Sequence, residues 1–279
     1  MKRQPRVAAI HDISCFGKCS LTVALPILSA AGIETAVIPT AVLSTHTGGF
    51  TGYTYRDLTE DVLPIFRHWR DIGLKFDAGY SGFLGSPEQL EIVSEIFAEM
   101  KKQGALIVVD PVMADNGKLY PTFDAGFPAG MRKLCEGADV IVPNLTEAAL
   151  MLGEEYRDGP YTRGYIEEMM YRLAELPAKL AVLTGVFFDE EQLGAAVIDA
   201  RTKKIDYAFS KRVQGSYHGT GDVFASALVA GLVLGKAPQA ALQRAADFTA
   251  DAARRTLEAG TDIRFGVNFE EGLRDFACE

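Results

Sequence analysis

The sequence predicts an α/β fold with a mostly parallel central sheet and helices on both faces. Two observations carry this. Short apolar runs alternate with stretches of helical spacing almost from end to end, the pattern of parallel strands joined by crossover helices. Most of those runs also close on a polar residue, as buried parallel strands do at their carboxyl edge. With 279 residues, 48% of them hydrophobic, the chain has room for one large domain or two smaller ones. It contains no linker, repeat or low-complexity stretch, which favours a single domain over residues 1–279. A closed barrel of eight βα units would also alternate, but a late antiparallel pair and a helix-on-helix ending favour the open sheet.

Taken in order, Val7 to Ile10 is an apolar strand ending in His11-Asp12. A loop with Gly17 leads to a helix over Leu21 to Ala31, closed by Gly32 at the position where left-handed backbone ends a helix. Ile33 to Ile38 reads as a second strand, and Ser44 to Tyr53 is too rich in Gly and Thr for a regular element. The spacing predicts a helix from Tyr55 to Ile72 despite Pro64, and a third strand from Phe76 to Tyr80. Ser86-Pro87-Glu88 is a cap with a first-turn proline, opening a helix to about Gln103. Strands follow at Leu106 to Val109, Val140 to Val142 and Leu180 to Leu183. Helices are predicted from Phe127 to Cys135, from Thr146 to Leu152 and from Arg163 to Leu176. Leu193 to Asp199 and Lys204 to Phe209 read as an antiparallel pair turning at Arg201-Thr202-Lys203. Two helices finish the pattern, from Val223 to Leu234 and from Pro238 to about Leu257.

Composition narrows the function. The net charge of −9 argues against nucleic-acid binding, which needs a basic face. No uncharged apolar stretch is long enough to cross a membrane, and the basic start through Arg6 lacks the form of a secretory signal. The four cysteines are then expected as reduced thiols in the cytoplasm. Cys15 and Cys19 stand in CxxxC spacing with no partner pair downstream, so burial as small hydrophobes is expected rather than zinc.

The chemistry concentrates in Gly219-Thr220-Gly221-Asp222. Two glycines let the backbone bend and its amides approach an anion, and the helix behind them points bare first-turn amides at the same place. Asp222 then stands where a base would meet a group attacking phosphorus. The same four residues are also compatible with a turn and an N-cap. Other acids follow strand ends: Asp110 and Asp115 on one loop, Glu147 in the first turn after Asn144. Together these three suffice to hold magnesium and ATP, which need few protein carboxylates. Polar residues at strand tips (Asp12, Ser81, Asp110, Asn144, Thr184) should meet along one sheet edge, where ligands of open α/β sheets bind. There is no Gly-x4-Gly-Lys-Ser/Thr, no His-Arg-Asp, and no Gly-x-Gly-x-x-Gly after the first strand.

Asp110-Pro111-Val112-Met113, Asn144-x-x-Glu147 and Gly219-Thr220-Gly221-Asp222, in this order, resemble the ribokinase superfamily, and Ser44-Thr45-His46-Thr47-Gly48 resembles the pyridoxal kinases within it. The resemblance runs from Val7 to about Leu257. It implies a ribokinase-like three-layer sandwich and ATP-dependent phosphorylation of the 5′-hydroxymethyl group of vitamin B6. It further implies Asp222 as the base and the amides of Gly219, Thr220 and Gly221 as the anion hole. Asp110 and Glu147 would position magnesium. Asp115, Tyr120, Asn144, Thr184, Gly185 and Thr220 would contact ATP, while Asp12, His46, Thr47, Phe83 and Asp222 would contact the vitamin. A homodimer is implied by the same analogy.

Three departures from the family pattern stand out. Asp12 replaces a common Ser, which points towards an amine-bearing substrate. Val142 replaces a Thr near a monovalent-cation site, leaving potassium activation open. The segment from Asp115 to Tyr120 is short for a lid. The alternatives are hydroxymethylpyrimidine kinase, disfavoured by Ser14-Cys15-Phe16-Gly17-Lys18 and by Asp222, and a protein that binds nucleotide or vitamer without turnover. A sugar kinase would carry an early Gly-Gly and Asn pattern that is absent.

Overall fold

The computed structural model describes residues 3–278; Met1, Lys2 and Glu279 lie outside the described residues, as does the side chain of Cys278. The chain runs β1 (Arg6–Ser14), α1 (Leu21–Ala30), β2 (Glu34–Leu43), β3 (Tyr55–Asp57), α2 (Thr59–Asp71), β4 (Ala78–Ser81), α3 (Pro87–Lys102), β5 (Leu106–Val109), β6 (Ala114–Asp115), β7 (Lys118–Leu119) and α4 (Phe127–Glu136). It continues β8 (Val140–Ile141), α5 (Leu145–Leu152), α6 (Arg163–Leu173), β9 (Leu180–Val186), β10 (Gln192–Asp199), β11 (Ile205–Lys211), α7 (Thr220–Val233), α8 (Pro238–Glu258) and α9 (Leu273–Cys278).

Nine strands form one sheet in the order β11-β10-β9-β8-β5-β4-β1-β2-β3. From β2 to β9 the neighbours are parallel; β3, β10 and β11 add antiparallel edges. Strand alternation splits the core in two. Ala8, Ile10, Ile107 and Val109 face one cluster, packed under α2 to α6 with Val93, Met131, Leu145 and Ile166. Val7, Tyr80 and Val108 face the other, under α1, α7 and α8 with Ile27, Ala227 and Leu242. The mostly parallel, double-faced sheet is therefore as expected.

Local chemistry sets the element ends. The Ser86 hydroxyl accepts from the Gln89 amide at 3.2 Å, with Pro87 in the first turn of α3. Gly32 takes φ +81° just beyond α1. Three expectations need correction. Tyr55–Asp57 is not helical: it pairs with Ala41–Leu43, and the helix starts only at Thr59, whose amide donates to the Asp57 carboxylate at 2.7 Å. The loop after β5 contains a hairpin, β6–β7, turning on Asn116 (φ +50°) and Gly117 (φ +74°). Both turn residues lie at positive φ, as in the tight turns for which Asn-Gly is the favoured pair. Helix α6 stops at Leu173, and the segment beyond α8 carries two 3₁₀ turns and α9.

At the amino edge of the sheet, Asp139 is buried before β8 and ties three elements. It accepts from the Ile107 amide at 3.0 Å and pairs with Lys179 at 2.9 Å and Lys101 at 3.5 Å. Burial pushes its carboxyl up, but the amide and the two lysines outweigh that and hold it below the usual range. Its ionised form thus favours the fold, and that contribution disappears as pH falls through the depressed value. Asp139→Ala, which strands the Ile107 amide, is expected to cost about 2–4 kcal/mol. Thermal melting at pH 7 should show the loss while steady-state KM values stay at those of the wild type.

Candidate active site

The sheet order places the carboxyl tips of β9, β8, β5, β4 and β1 side by side. Thr184, Asn144, Asp110, Gly82 and Asp12 therefore follow one another along a single edge, as the strand endings predict. The chain order reverses between β1 and β4, since β2 lies on one side of β1 and β4 on the other. Open sheets bind ligands in the crevice at such a reversal.

Four carboxyls crowd this edge. Asp12, Asp110 and Glu147 are buried, and Asp222 is half-buried at the first turn of α7. Burial is the first cause of every shift, and neighbouring charge adds to several. Asp110 is pushed well above the carboxylate range by burial, Glu147 and Asp222. Glu147 rises to about 8 by burial, against the amides of Asn144, Met113 and Ala114. Asp12 is raised by burial against hydrogen bonds from Ser20 and Ser14, the Ser14 hydroxyl donating at 3.0 Å. Asp222 rises to about 7 by burial, opposed by the Ser20 amide and reinforced by Asp12.

Asp222 belongs to an amide-lined cup. Gly219 begins α7 with φ +79°, and a Cβ there would lie 2.1 Å from the Lys18 carbonyl oxygen. Only glycine fits. Val223 makes the first intrahelical bond, to the Gly219 carbonyl at 3.0 Å, so the amides of Thr220, Gly221 and Asp222 precede the ladder. A Cβ on Gly221 would meet nothing within 4 Å, and the residue is exposed, so the floor of the cup is open to a ligand. The Thr220 hydroxyl donates back to the Tyr217 carbonyl at 3.0 Å.

The hairpin β6–β7 is fastened to the start of α5. Glu147 and Asn144 form a capping box, and Glu147 also accepts from the Met113 amide at 3.1 Å. The Asn144 amide group donates to the Ala114 carbonyl at 2.9 Å, and the Gly117 amide donates to the Thr146 hydroxyl at 3.0 Å. Tyr120, just past the hairpin, is pushed up by burial and by Glu147, Asp115, Asp222 and Asp110, which puts it beside the acids. Thr184 is half-buried with its amide on the Pro143 carbonyl at 3.0 Å, and Gly185 is exposed at φ +78°.

Asp115 does not complete a three-acid holder. It is exposed on the hairpin, with one oxygen accepting from the Asn116 amide at 2.9 Å and the other from the Asn116 side chain at 3.0 Å. Among the described residues no group of three or more His, Cys, Asp or Glu is disposed to hold a metal. Asp110 and Glu147 remain as a buried acidic pair, both raised first by burial, with the charge of Glu147 adding to the shift of Asp110. That donor set suits a magnesium-like ion, which takes one or two carboxylates and keeps water on its other positions.

The loop between β2 and β3 walls the other side. His46 is buried: its Nδ1 accepts from the Gly48 amide at 3.1 Å, so Nε2 carries the proton and donates to the Arg264 carbonyl at 2.6 Å. Both nitrogens are committed to backbone, and only the ring itself is left to face a ligand. Thr47 is exposed beside it, and half-buried Phe83 packs at 5.5 Å against Phe123. Cys15 is exposed, contrary to the expected burial, while Cys19 is half-buried beside Asp222 and Asp12. Burial, Asp222 and Asp12 push the Cys19 thiol up, so it stays protonated. His11 lies beneath the site, edge-on to Tyr80 at 4.4 Å; burial pulls it down to about 3 and keeps it neutral.

Sequence reasoning missed the arc that closes the site from the C-terminal end. The Lys18 amide donates to the Phe265 carbonyl at 3.1 Å, and Lys18 Nζ pairs with Glu270 at 2.9 Å. It also missed Ser20 and His218, one lending an amide to Asp222, the other standing next to Gly219.

A family model described as phosphomethylpyrimidine kinase matches residues 28–266. A Bacteroides thetaiotaomicron structure described as a phosphomethylpyrimidine kinase, in an orthorhombic form with pyridoxal, is 36% identical with a TM-score of 0.93, covering 98% of this chain and 96% of that one. The pyridoxal kinase from Lactobacillus plantarum is 33% identical with a TM-score of 0.88, covering 99% and 98%. The pyridoxine/pyridoxal/pyridoxamine kinase of Bordetella avium is 27% identical over 261 residues, 86% of this chain and 80% of that relative. The fold is therefore ribokinase-like.

The Asp222 shift has a consequence for stability. Its folded value of about 7 lies above the ordinary 3.8, so the folded state holds this proton more tightly than the unfolded chain. Stability from this group is full below the unfolded value and is lost as pH rises towards 7. The helix dipole offsets about 0.3–1 kcal/mol, less than the few kcal/mol implied at about 1.4 kcal/mol per unit. Asp222→Asn is expected to melt higher than wild type at pH 8, by roughly 5 °C, and the gap should close at pH 4. Melting curves at the two pH values check it.

Proposed function

The chain belongs to the phosphomethylpyrimidine kinase family, and from that premise we propose that it is an ATP-dependent vitamin B6 kinase, one domain over residues 1–279, that phosphorylates the 5′-hydroxymethyl group of pyridoxal, pyridoxamine or pyridoxine. The observation that carries this is Asp222, a half-buried carboxyl raised to about 7 beside unpaired first-turn amides. A base poised near neutral pH can take a proton and release it again in each turnover.

In this reading the hydroxymethyl oxygen approaches the terminal phosphorus while Asp222 accepts its proton. The O–P bond to the vitamin forms, the bond to the β-phosphate oxygen breaks, and ADP leaves. The transition state is loose, so positioning and charge stabilisation dominate. The amides of Gly219, Thr220 and Gly221 receive the charge on the transferring group. Asp110 and Glu147 would hold magnesium, which neutralises phosphate charge. Tyr120, Asn144, Thr184 and Gly185 border the nucleotide, with Asp115 on the hairpin above. Asp12, in the crevice between β1 and β4, faces the pyridine ring with Thr47, while Phe83 and the His46 ring cover its faces. The reading extends to a homodimer working in the cytoplasm.

The similarity to a pyridoxal kinase at 33% identity and to a structure with pyridoxal supports vitamin B6 over a pyrimidine. The family description itself keeps hydroxymethylpyrimidine as the second substrate to test. A coupled ADP-release assay with each vitamer and with hydroxymethylpyrimidine decides between them. Turnover of at least one vitamer above the pyrimidine is expected; turnover of none overturns the reading.

Two variants probe the roles. Asp222→Asn is expected to lose about 10²–10⁴-fold in kcat with ATP affinity nearly unchanged. Because the base works deprotonated, wild-type kcat/KM should rise with pH to a plateau above about 7, and the variant should lack that limb. A variant keeping more than about a tenth of the rate would make Asp222 a cap only. Asp12→Ser is expected to lower the kcat/KM for pyridoxamine relative to pyridoxal, since the carboxylate that would pair with the amine is gone. An unchanged ratio across the three vitamers would remove Asp12 from substrate selection.

A further inference from the structure

We propose that His218 holds the terminal phosphate of the nucleotide, adding a side-chain donor to the amides of the α7 cup; this rests on the kinase reading for the identity of the ligand. His218 directly precedes Gly219, so its ring stands at the lip of the cup. The residue is half-buried, and among the described residues no hydrogen bond reaches either ring nitrogen; its contacts are the rings and charges beside it. An imidazole always carries at least one N–H, and among the described residues no acceptor takes the one on His218, so it is available to a ligand in the cup.

Packing, not hydrogen bonding, fixes the ring. It lies tilted by 38° on His46, with centroids 5.1 Å apart. Its Cε1 would be 2.6 Å from a Cβ on Gly48, and its Nε2 3.7 Å from one on Gly49, which adopts φ +77°. The Gly48-Gly49 pair thus leaves the space that the ring fills. Across from it stands Asp115 on the hairpin, close enough for the two side chains to interact electrostatically. Behind Gly49 lies Arg264, itself paired with Asp262 at 2.6 Å.

Charge explains why a donor is needed here. ATP entering the cup meets Asp222, Asp110 and Glu147 from below and Asp115 from the hairpin. Of the donors that border the cup, Lys18 is committed to Glu270 and Asn268, and the Thr220 hydroxyl to the Tyr217 carbonyl. The His218 ring is uncommitted. It joins the loop after β2, the hairpin and the cup, and a phosphate seated on α7 would lie against it. The group nearest Asp222 is the one being transferred, so His218 should distinguish ATP from ADP.

The test is calorimetric binding of a non-hydrolysable ATP analogue and of ADP to the full chain. His218→Ala is expected to weaken the analogue by about 10-fold or more, the worth of one charge-assisted hydrogen bond, with ADP affinity and the vitamer KM little changed. His218→Gln, which restores an N–H, should recover most of the analogue's affinity. Unchanged analogue binding in His218→Ala overturns the proposal, as does an equal loss for ADP. Equal weakening in the Ala and Gln variants with a lowered melting temperature overturns it too, since the ring would then only pack. If the variants behave as expected but the wild type phosphorylates neither vitamer nor pyrimidine, the kinase reading fails while the phosphate contact stands.

Discussion

Carboxyl groups crowded onto one sheet edge, with backbone amides rather than cations to steady them, set the terms for the rest of this structure. Asp12, Asp110 and Glu147 are 4%, 6% and 3% exposed, and Asp139 at the opposite edge is 2% exposed. Burial alone would raise all four. Yet Asp139 is lowered, because Lys179 and Lys101 and the Ile107 amide reach it, while the other three are raised. Carboxyls that are all nearly inaccessible stabilise the fold at one end and strain it at the other. At Asp139 the Ile107 amide and the two lysines together make the difference. An edge loaded in this way would gain most from a partner that brings positive charge to it.

The backbone is bent to serve the same edge. Ser20 adopts φ +54°, ψ −128°, a region that non-glycine residues rarely occupy and that costs about 1–3 kcal/mol. In that conformation its amide faces the Asp222 carboxyl and its side chain Asp12. The helix α1 begins at Leu21, directly after Ser20, and α7 begins beside it, with Gly219 against the Lys18 carbonyl. Small residues along the shared face, such as Ala24 and Ala227, are fully buried, so the two helix starts can come close. Two positive helix ends thereby converge on one group of acids.

Much of this was legible in the sequence because it is local. The alternation of strands and helices, the Ser86 cap, the Asn144–Glu147 box and the Gly219–Asp222 turn each have a signature within a few residues. The order of polar strand tips along the edge also follows from a parallel sheet once each strand is placed. The misses have physical causes. Tyr55–Asp57 has helical neighbours but gains more by pairing with β2, a tertiary effect that spacing does not register. The hairpin at Asn116-Gly117 did carry a signal, since that dipeptide is the strongest short-range mark of a tight turn; the strands around it are two residues long and lack alternation. The contacts of Arg264 and Phe265 with His46 and Lys18 join residues more than two hundred positions apart, and no local pattern announces them. His218 was hidden because its surroundings, Gly48, Gly49 and Asp115, come from two other loops.

The hairpin shows how local and distant terms combine. Two strands of two residues cannot stand alone in water, so β6–β7 depends on its fastenings to α5: Ala114 to Asn144, Gly117 to Thr146 and Met113 to Glu147. Glu147 therefore caps its helix, anchors the hairpin and shares the acidic pair with Asp110, using two oxygens for all three. Its Oε1 bond to Met113 and its Oε2 bond to Asn144, at 3.1 and 2.8 Å, are charge-assisted only when the carboxyl is ionised. Raised to about 8, it is largely protonated at neutral pH, and one of those two bonds is then weakened. A cation beside Asp110 would restore the ionised form and tighten both. Charge arriving at the strand tips is in this way felt at the hairpin, through a single carboxylate and without any change of fold.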